Sequence, residues 1–185
     1  ANIYINHFVV VGEGWKISYG AEASLSGTTN EASALLNNEK ESEGTFYMKQ
    51  KEHSAGIFGG FSRSFGKKFT LNASLAVRYY KALVDSAGKK GTLWDQADLF
   101  PSLSAVYRIN RSNMLQFSLS SNRKYPSYWA TTPNTYYMNI YSVIKGNPQL
   151  KPELNYSMQL TYVIKNKYVL GAFANFQPDK IQQMS

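Results

Sequence analysis

The feature that most constrains this chain is a strict alternation of apolar and polar side chains over long stretches. Residues 15–25 carry apolar or small side chains at odd positions and polar side chains or glycine at most even ones, and 69–79, 115–119 and 154–164 repeat the alternation. A period of two is typical of β-strands whose two faces meet different surroundings. Less regular strand patterns fill the gaps, at residues 2–11, 45–65, 99–109 and 168–177. The pattern predicts an all-β fold of about eight long strands.

The segments between the predicted strands alternate in length. Short turns are predicted at 12–14, 66–68, 110–112 and 165–167, and long polar loops at about 28–44, 82–98 and 124–153. Strands joined by short turns run antiparallel, so we expect an up-and-down meander. Short turns at one end and long loops at the other are typical of outer-membrane barrels, whose long loops lie outside the cell.

Strand length and aromatic placement also favour a transmembrane β-barrel. Several alternating runs reach the roughly 9–11 residues that a tilted strand needs to cross hydrocarbon, whereas no apolar run approaches the length of a membrane-spanning helix. Aromatic residues flank the short turns, as in the interfacial girdle of a membrane barrel; they are Trp15, Phe65, Phe69, Tyr107 and Tyr168. We interpret residues 1–185 as a single barrel unit with outer-membrane lipid as a partner.

The polar face predicts the size of the barrel. Its residues are mostly Ser, Thr, Asn and Gly, which would fill the lumen of an eight-stranded barrel poorly. We therefore expect a segment of a larger barrel, which in isolation could close as a small one. The alternation alone leaves open whether the apolar face meets lipid or the core of a soluble protein.

Several function classes have no support in the sequence. There is no cysteine, and the two histidines, His7 and His53, belong to no metal-binding or hydrolase motif. The net charge of +8 is scattered, and no nucleic-acid-binding motif accompanies it. We expect no catalytic residue, metal, cofactor or nucleic-acid partner.

The third long loop is unusually aromatic. Aromatic faces beside amides and a guanidinium group can hold a sugar, a peptide or a metal chelate. The alternative is that the loop folds on itself and buries its aromatic side chains. The candidate ligand-binding residues are Arg123, Tyr125, Tyr128, Trp129, Tyr136, Tyr137 and Tyr141.

An octet connects this loop to the last alternating run. It comprises Gly146, Asn147, Pro148, Gln149, Leu150, Lys151, Pro152 and Glu153. Each proline keeps the residue before it extended, and Gly146 permits a tight turn. The octet resembles the GNPxLKPE signature that precedes a strand in TonB-dependent outer-membrane receptors. The segment 122–128, Asn-Arg-Lys-Tyr-Pro-Ser-Tyr, is similar to the sequence that ends an earlier strand in the related outer-membrane β-barrel family.

The resemblance implies a function in the bacterial outer membrane. It implies the barrel portion of a receptor that imports a siderophore, glycan or peptide, with a plug domain and TonB as partners that other segments would engage; no plug is expected within these residues. Two alternatives stay open. One is a self-contained eight-stranded outer-membrane protein with a structural or adhesive role, and the other is a soluble β-barrel that binds a ligand.

Overall fold

The fold is one antiparallel sheet that follows the chain. The computed structural model describes residues 1–12, 14–36, 39–86, 88–131, 135–139, 142–147 and 149–178. Eight strands pair in the order β1-β2-β3-β4-β5-β6-β9-β10, which confirms the predicted meander. These strands are β1 Asn2–Val11, β2 Trp15–Leu36, β3 Glu39–Phe65, β4 Phe69–Ser86, β5 Lys89–Arg108, β6 Met114–Lys124, β9 Glu153–Ile164 and β10 Tyr168–Phe176.

Smaller elements fall between β6 and β9. A short helix, α1, spans Tyr128–Thr131, and strands β7 Thr135–Asn139 and β8 Ser142–Lys145 form a separate hairpin. Within the described residues, no helix is long and apolar enough to cross a membrane.

Many large apolar side chains of the sheet are exposed. Ile57 is 65% exposed, Leu99 55% and Leu75 47%, and all three lie on one face because the register aligns odd positions of β3, β4 and β5. The even positions of β3 on the opposite face, such as Ser54 and Phe58, are half-buried. A soluble protein would bury the apolar face; here it is the face open to the surroundings.

The sheet bends toward its polar face. The Glu22 carboxylate on β2 and the Arg78 guanidinium on β4 form an ion pair although β3 lies between them. Likewise the rings of Tyr4 on β1 and Phe58 on β3 stack across β2, with centroids 5.6 Å apart. Strands two apart in a flat sheet are separated by about 10 Å. Contact across an intervening strand therefore marks the polar face as the concave one.

Four tight connections lie at one end of the sheet. Gly12, Gly14 and Gly66 adopt positive φ there, and the β9–β10 turn has φ near +50° at both Lys165 and Asn166. Aromatic side chains pack beside these turns: the ring centroids of Trp15–Phe65, Phe65–Phe69 and Phe69–Tyr107 lie 6.3, 5.6 and 6.5 Å apart. We call this the short-turn end.

Two predicted loops differ from the structure. The segments 28–44 and 82–98 are largely strand, because the β2–β3 register runs on to Leu36↔Glu39 and the β4–β5 register to Ser86↔Lys89. The physical reason is that alternation reports two unlike faces. Beyond the apolar part of the sheet the outward face becomes polar while the inward face buries Met48, Ala82 and Trp94, so the apolar-outward alternation ends although the backbone pairing continues.

The sheet is open at both edges. Every residue of β1 and of β10 is exposed, and among the described residues neither strand has a second neighbour in the sheet. The predicted barrel wall is thus present, and its closure is not.

Candidate ligand-binding face

The concave polar face carries charged and aromatic side chains among small ones. Gly56 lies on β3 between Glu22 and Arg78, and a Cβ there would come within 3.3 Å of both side chains and of the Val77 carbonyl oxygen. Gly20 lies in the same way beneath the stacked rings of Tyr4 and Phe58. The glycines leave room for side chains of non-adjacent strands to meet. We use the name inner face for the part of the concave polar face that surrounds Arg78.

A chain of contacts runs across the inner face from Arg78 to Arg123. The Arg78 guanidinium lies 5.0 Å from the ring centroid of Phe100, and that of Arg123 lies 5.6 Å from the same ring. Arg123 forms an ion pair with Asp98, and its side chain is only 2% exposed. A guanidinium buried against a carboxylate and a ring has little surface left for direct contact with a ligand.

Three aromatic rings form a cluster beside Arg123. The centroids of Tyr80 and Tyr125 are 4.1 Å apart, and each lies 5.8 Å from that of Trp94. Tyr80 and Trp94 are buried and, with the fully buried Ala82, form the apolar core of this part of the sheet. The cluster joins β4, β5 and the segment after β6 into one rigid wall.

Glu52 is the polar anchor next to this cluster. Its carboxylate accepts hydrogen bonds from Gln50 Nε2 at 2.7 Å and from Ser26 Oγ at 3.1 Å, and it lines the same cavity as Tyr80. Tyr125 lies beyond the end of β6, where burial raises the pKa of its phenol and the nearby Arg123 guanidinium lowers it in part. A phenol with a raised pKa is neutral at pH 7 and offers a ligand a hydrogen bond instead of a charge.

Two adjoining cavities open on the inner face. The larger has a volume of about 490 Å³ and the smaller about 310 Å³, and both are lined by Tyr4, Glu22 and Arg78. The larger also reaches Glu52, Tyr80 and Tyr125. Its size is within the range of small-molecule sites, and carboxylate, guanidinium and phenol groups beside aromatic faces are the groups that orient polar organic ligands.

The octet after the aromatic loop is fixed to the same wall. Trp94 Nε1 donates a hydrogen bond of 2.8 Å to the Leu150 carbonyl, and Pro152 and Glu153 are buried. Asn147 shapes the turn, because its side-chain oxygen accepts from the Gln149 amide at 2.9 Å and its carbonyl from the Leu150 amide at 3.2 Å. Gly146 is half-buried and Lys151 exposed, while Pro148 lies outside the described residues.

The structure brings together only part of the predicted ligand-binding set. Arg123 and Tyr125 lie at the inner face. Tyr128 and Trp129 fall in α1 and Tyr136 and Tyr137 in β7, where only the backbone is described, and Tyr141 lies outside the described residues. Ligand binding by the loop stays a prediction.

Sequence reasoning missed the inner-face residues on the strands: Glu22, Glu52, Arg78, Tyr80 and Trp94. Their signal was a charged or aromatic residue at an even position otherwise occupied by Ser, Gly or Ala, as Glu22 is between Gly20 and Ser24. That signal becomes a cluster only when the strand register is known.

Comparison with known proteins agrees with this architecture. The chain matches the model of the outer membrane protein beta-barrel family over residues 5–185. No curated protein and no solved structure matches it. Since the match covers nearly all of the sequence, and the sheet has an exposed apolar face and a polar concave one, the chain belongs to the outer membrane protein beta-barrel family and is located in the bacterial outer membrane.

Proposed function

We propose that this chain forms part of the barrel wall of a TonB-dependent outer-membrane receptor, which takes up a nutrient such as a siderophore, a glycan or a peptide without catalysing a reaction. The observation that carries the proposal is the octet at 146–153, whose Leu150 carbonyl is held by Trp94 beside the aromatic cluster of the inner face. The receptor-like signature and the candidate ligand face thus form one structural unit.

Two further features support a wall of a wide barrel. Small residues dominate the polar face, which leaves space for a plug in the lumen. Both edge strands present unpaired backbone groups, which a barrel must pair with further strands. The plug domain and TonB are partners that we assign to the complete receptor.

In this proposal the ligand meets the inner face at the larger cavity. Tyr4 and Tyr125 supply stacking surfaces and phenol groups, Tyr80 packs behind Tyr125, and Glu52 and Arg78 supply charge. Arg123 acts as a positioning residue through its buried pair with Asp98. The group combination suits a ligand with both flat apolar surfaces and polar edges.

The test uses uptake by cells that express the complete gene product. A panel of labelled siderophores, glycans and peptides is supplied to TonB-proficient and TonB-deficient hosts, and we expect accumulation of one class in the proficient host alone. Tyr4→Ala should lower that uptake at least about tenfold, because the exposed Tyr4 ring supplies a stacking contact at both cavities. Tyr19→Ala is the matched control, since Tyr19 is a similarly exposed tyrosine on the opposite face that does not line the cavity.

TonB-independent uptake, or equal uptake by both tyrosine variants, would contradict the proposal. A second candidate, a structural or adhesive surface protein, is supported by the β2–β3 hairpin, whose strands of 22 and 27 residues are far longer than a membrane crossing requires. It predicts that shortening this hairpin lowers adhesion of cells while uptake in both hosts is unchanged. The soluble alternative does not fit, because its apolar face would have to be buried.

A further inference from the structure

The outer, apolar face of the sheet has an upper boundary. On β3, the outward positions from Phe65 to Ala55 are mostly apolar, and at about 3.3 Å per residue and the usual tilt this stretch covers roughly the 25 Å of hydrocarbon that a barrel spans. The next outward row contains His53, Lys81 and Asp95, which are aligned in register. This charged row therefore lies at the level of the lipid headgroups, on the side away from the short turns, which is the outer leaflet.

In the row of His53, Lys81 and Asp95, which we call the boundary row, the charges of Lys81 and Asp95 neutralise each other. Lys81 Nζ lies 3.0 Å from an Asp95 carboxylate oxygen, and the Tyr79 hydroxyl donates a hydrogen bond of 2.7 Å to the other oxygen. Because of the hydrogen bonds from Tyr79 and Lys81, the pKa of Asp95 is lowered, and the pKa of Lys81 is raised by the same carboxylate. Both groups are thus charged at neutral pH and neutralise each other.

The rows immediately above are not balanced in this way. Lys49, Lys51 and Lys90, which we call the lysine cluster, line a cavity of about 520 Å³ on the outer face together with Leu83 and Asp85. Register places Asp85 opposite both Lys49 and Lys90. Three lysines thus share this cavity with one carboxylate, and among the described residues no ion pair within 4.0 Å neutralises any of the three.

The position of the cluster indicates what neutralises it. Its lysines are exposed, project from the lipid-facing side of the wall and follow directly above a satisfied boundary row. Long lysine side chains at such a level reach the headgroup region with their ammonium groups. A ligand that spans both regions needs several anionic groups at the top and apolar chains below.

We propose that Lys49, Lys51 and Lys90 bind the phosphate groups of a phosphorylated glycolipid of the outer leaflet, whose acyl chains lie against the apolar face below. A lipid accounts for both halves of the surface, the lysine cluster and the exposed apolar stripe of β3 and β4 that includes Ile57 and Val77. Free phosphate would account only for the lysines. The inference is independent of the transport function.

The test measures lipid retention by the complete protein reconstituted in phosphatidylcholine vesicles. The vesicles contain diphosphoryl lipid A, its dephosphorylated form, or neither, and bound glycolipid is quantified by mass spectrometry after detergent extraction. The wild-type protein should retain the diphosphoryl form selectively, and less of it at high salt. Replacing the three lysines together (Lys49→Gln, Lys51→Gln and Lys90→Gln) should weaken retention on the order of 100-fold, since each lysine near an anionic surface contributes about one factor of five.

A matched control variant distinguishes binding at the lysine cluster from a general effect of positive charge. Lys67→Gln, Lys68→Gln and Lys165→Gln remove the same charge at the short-turn end and should leave retention unchanged. Replacement of the lysine cluster by arginine should preserve it, which also shows that the cluster positions can be changed without loss of folding. Equal retention of the dephosphorylated lipid, equal losses in both glutamine variants, or complete displacement by millimolar inorganic phosphate would each overturn the proposal.

Discussion

At the scale of single residues, two glycines decide which side chains meet on the concave face. Gly20 and Gly56 each lie beneath a contact between strands that are not neighbours. A Cβ at Gly20 would overlap the Phe58 ring and the Ile5 carbonyl oxygen, whereas a Cβ at Gly59, on the opposite face, meets nothing within 4 Å. The same residue type is thus required at one position and replaceable at the other.

We therefore expect Gly20→Ala to lower the free energy of unfolding by about 1–3 kcal/mol, the usual cost of overpacking. Gly59→Ala should leave it unchanged or raise it by up to about 1 kcal/mol, because alanine has less backbone freedom to lose. Urea unfolding in phospholipid vesicles measures both variants. Equal destabilisation would mean that the Tyr4–Phe58 stack does not depend on Gly20.

The second prediction concerns the contributions of Arg123 and Arg78 to the free energy of unfolding. Arg123→Met should cost about 3–5 kcal/mol of unfolding free energy, because it leaves the Asp98 carboxylate sheltered without its partner. Arg78→Met should cost less than about 1 kcal/mol, since the Arg78 side chain is 45% exposed. Combining Arg123→Met with Asp98→Leu should recover most of the loss. Similar costs for the two single variants would argue against a buried pair.

The sequence anticipated one of these arginines. Arg123 stood out because it lies in a motif beside aromatic residues, and the structure confirms its place next to Tyr125. Glu22 and Arg78 are 56 positions apart, and only the register of three strands brings them together. No local pattern carries that information.

At the scale of elements, the hairpins are longer than the alternating pattern that predicts them. The pairs Gln50↔Val84 and Val84↔Gly91 show β3, β4 and β5 still in register beyond the Lys81–Asp95 row. Above the membrane the outward positions become polar while Met48, Ala82 and Trp94 are buried on the inward face, so the loss of outward apolar residues marks the end of the membrane and not the end of the strand. The eight-stranded meander was predictable because lipid imposes the alternation, whereas these extensions were not.

This difference predicts slow amide exchange in a segment that the sequence assigns to loop. Hydrogen-bonded amides in residues 81–84 should exchange at least about tenfold more slowly than amides of the exposed turn at 110–112, because a paired strand must open before exchange. Deuterium uptake followed by mass spectrometry on the reconstituted protein gives both rates. Equal rates in the two segments would favour the loop assignment.

At the scale of the whole molecule, the open edges are the main structural fact. Every residue of β1 and of β10 is exposed, and exposed edges template the addition of further strands. The predicted barrel class was readable from periodicity and turn lengths. The size of the barrel could not be predicted, because it depends on which strands pair with the two edges. The hydropathy pattern of a strand carries no information about its pairing partner.

The absence of cysteine makes the edges easy to test. With Ile5→Cys on β1 and Ala172→Cys on β10, we expect the chain refolded alone in detergent to form disulfides between molecules, in a concentration-dependent way, since β1 and β10 of one chain are not paired. Non-reducing electrophoresis separates the products. Moving the first cysteine to Ile57, in the middle of the sheet, should abolish the cross-link. A monomeric disulfide at high dilution would show closure into a small barrel instead.

The Glu22–Arg78 ion pair has a geometric consequence for the complete barrel. The pair joins β2 to β4 across the concave side of β3. A flatter wall moves the two side chains apart, and a more strongly curved wall brings them closer together above Gly56. For strands at fixed spacing, curvature sets the circumference of a barrel. The ion pair therefore reports the local curvature of this three-strand arc, while its small contribution to stability leaves the strand number to the pairing of the two edges.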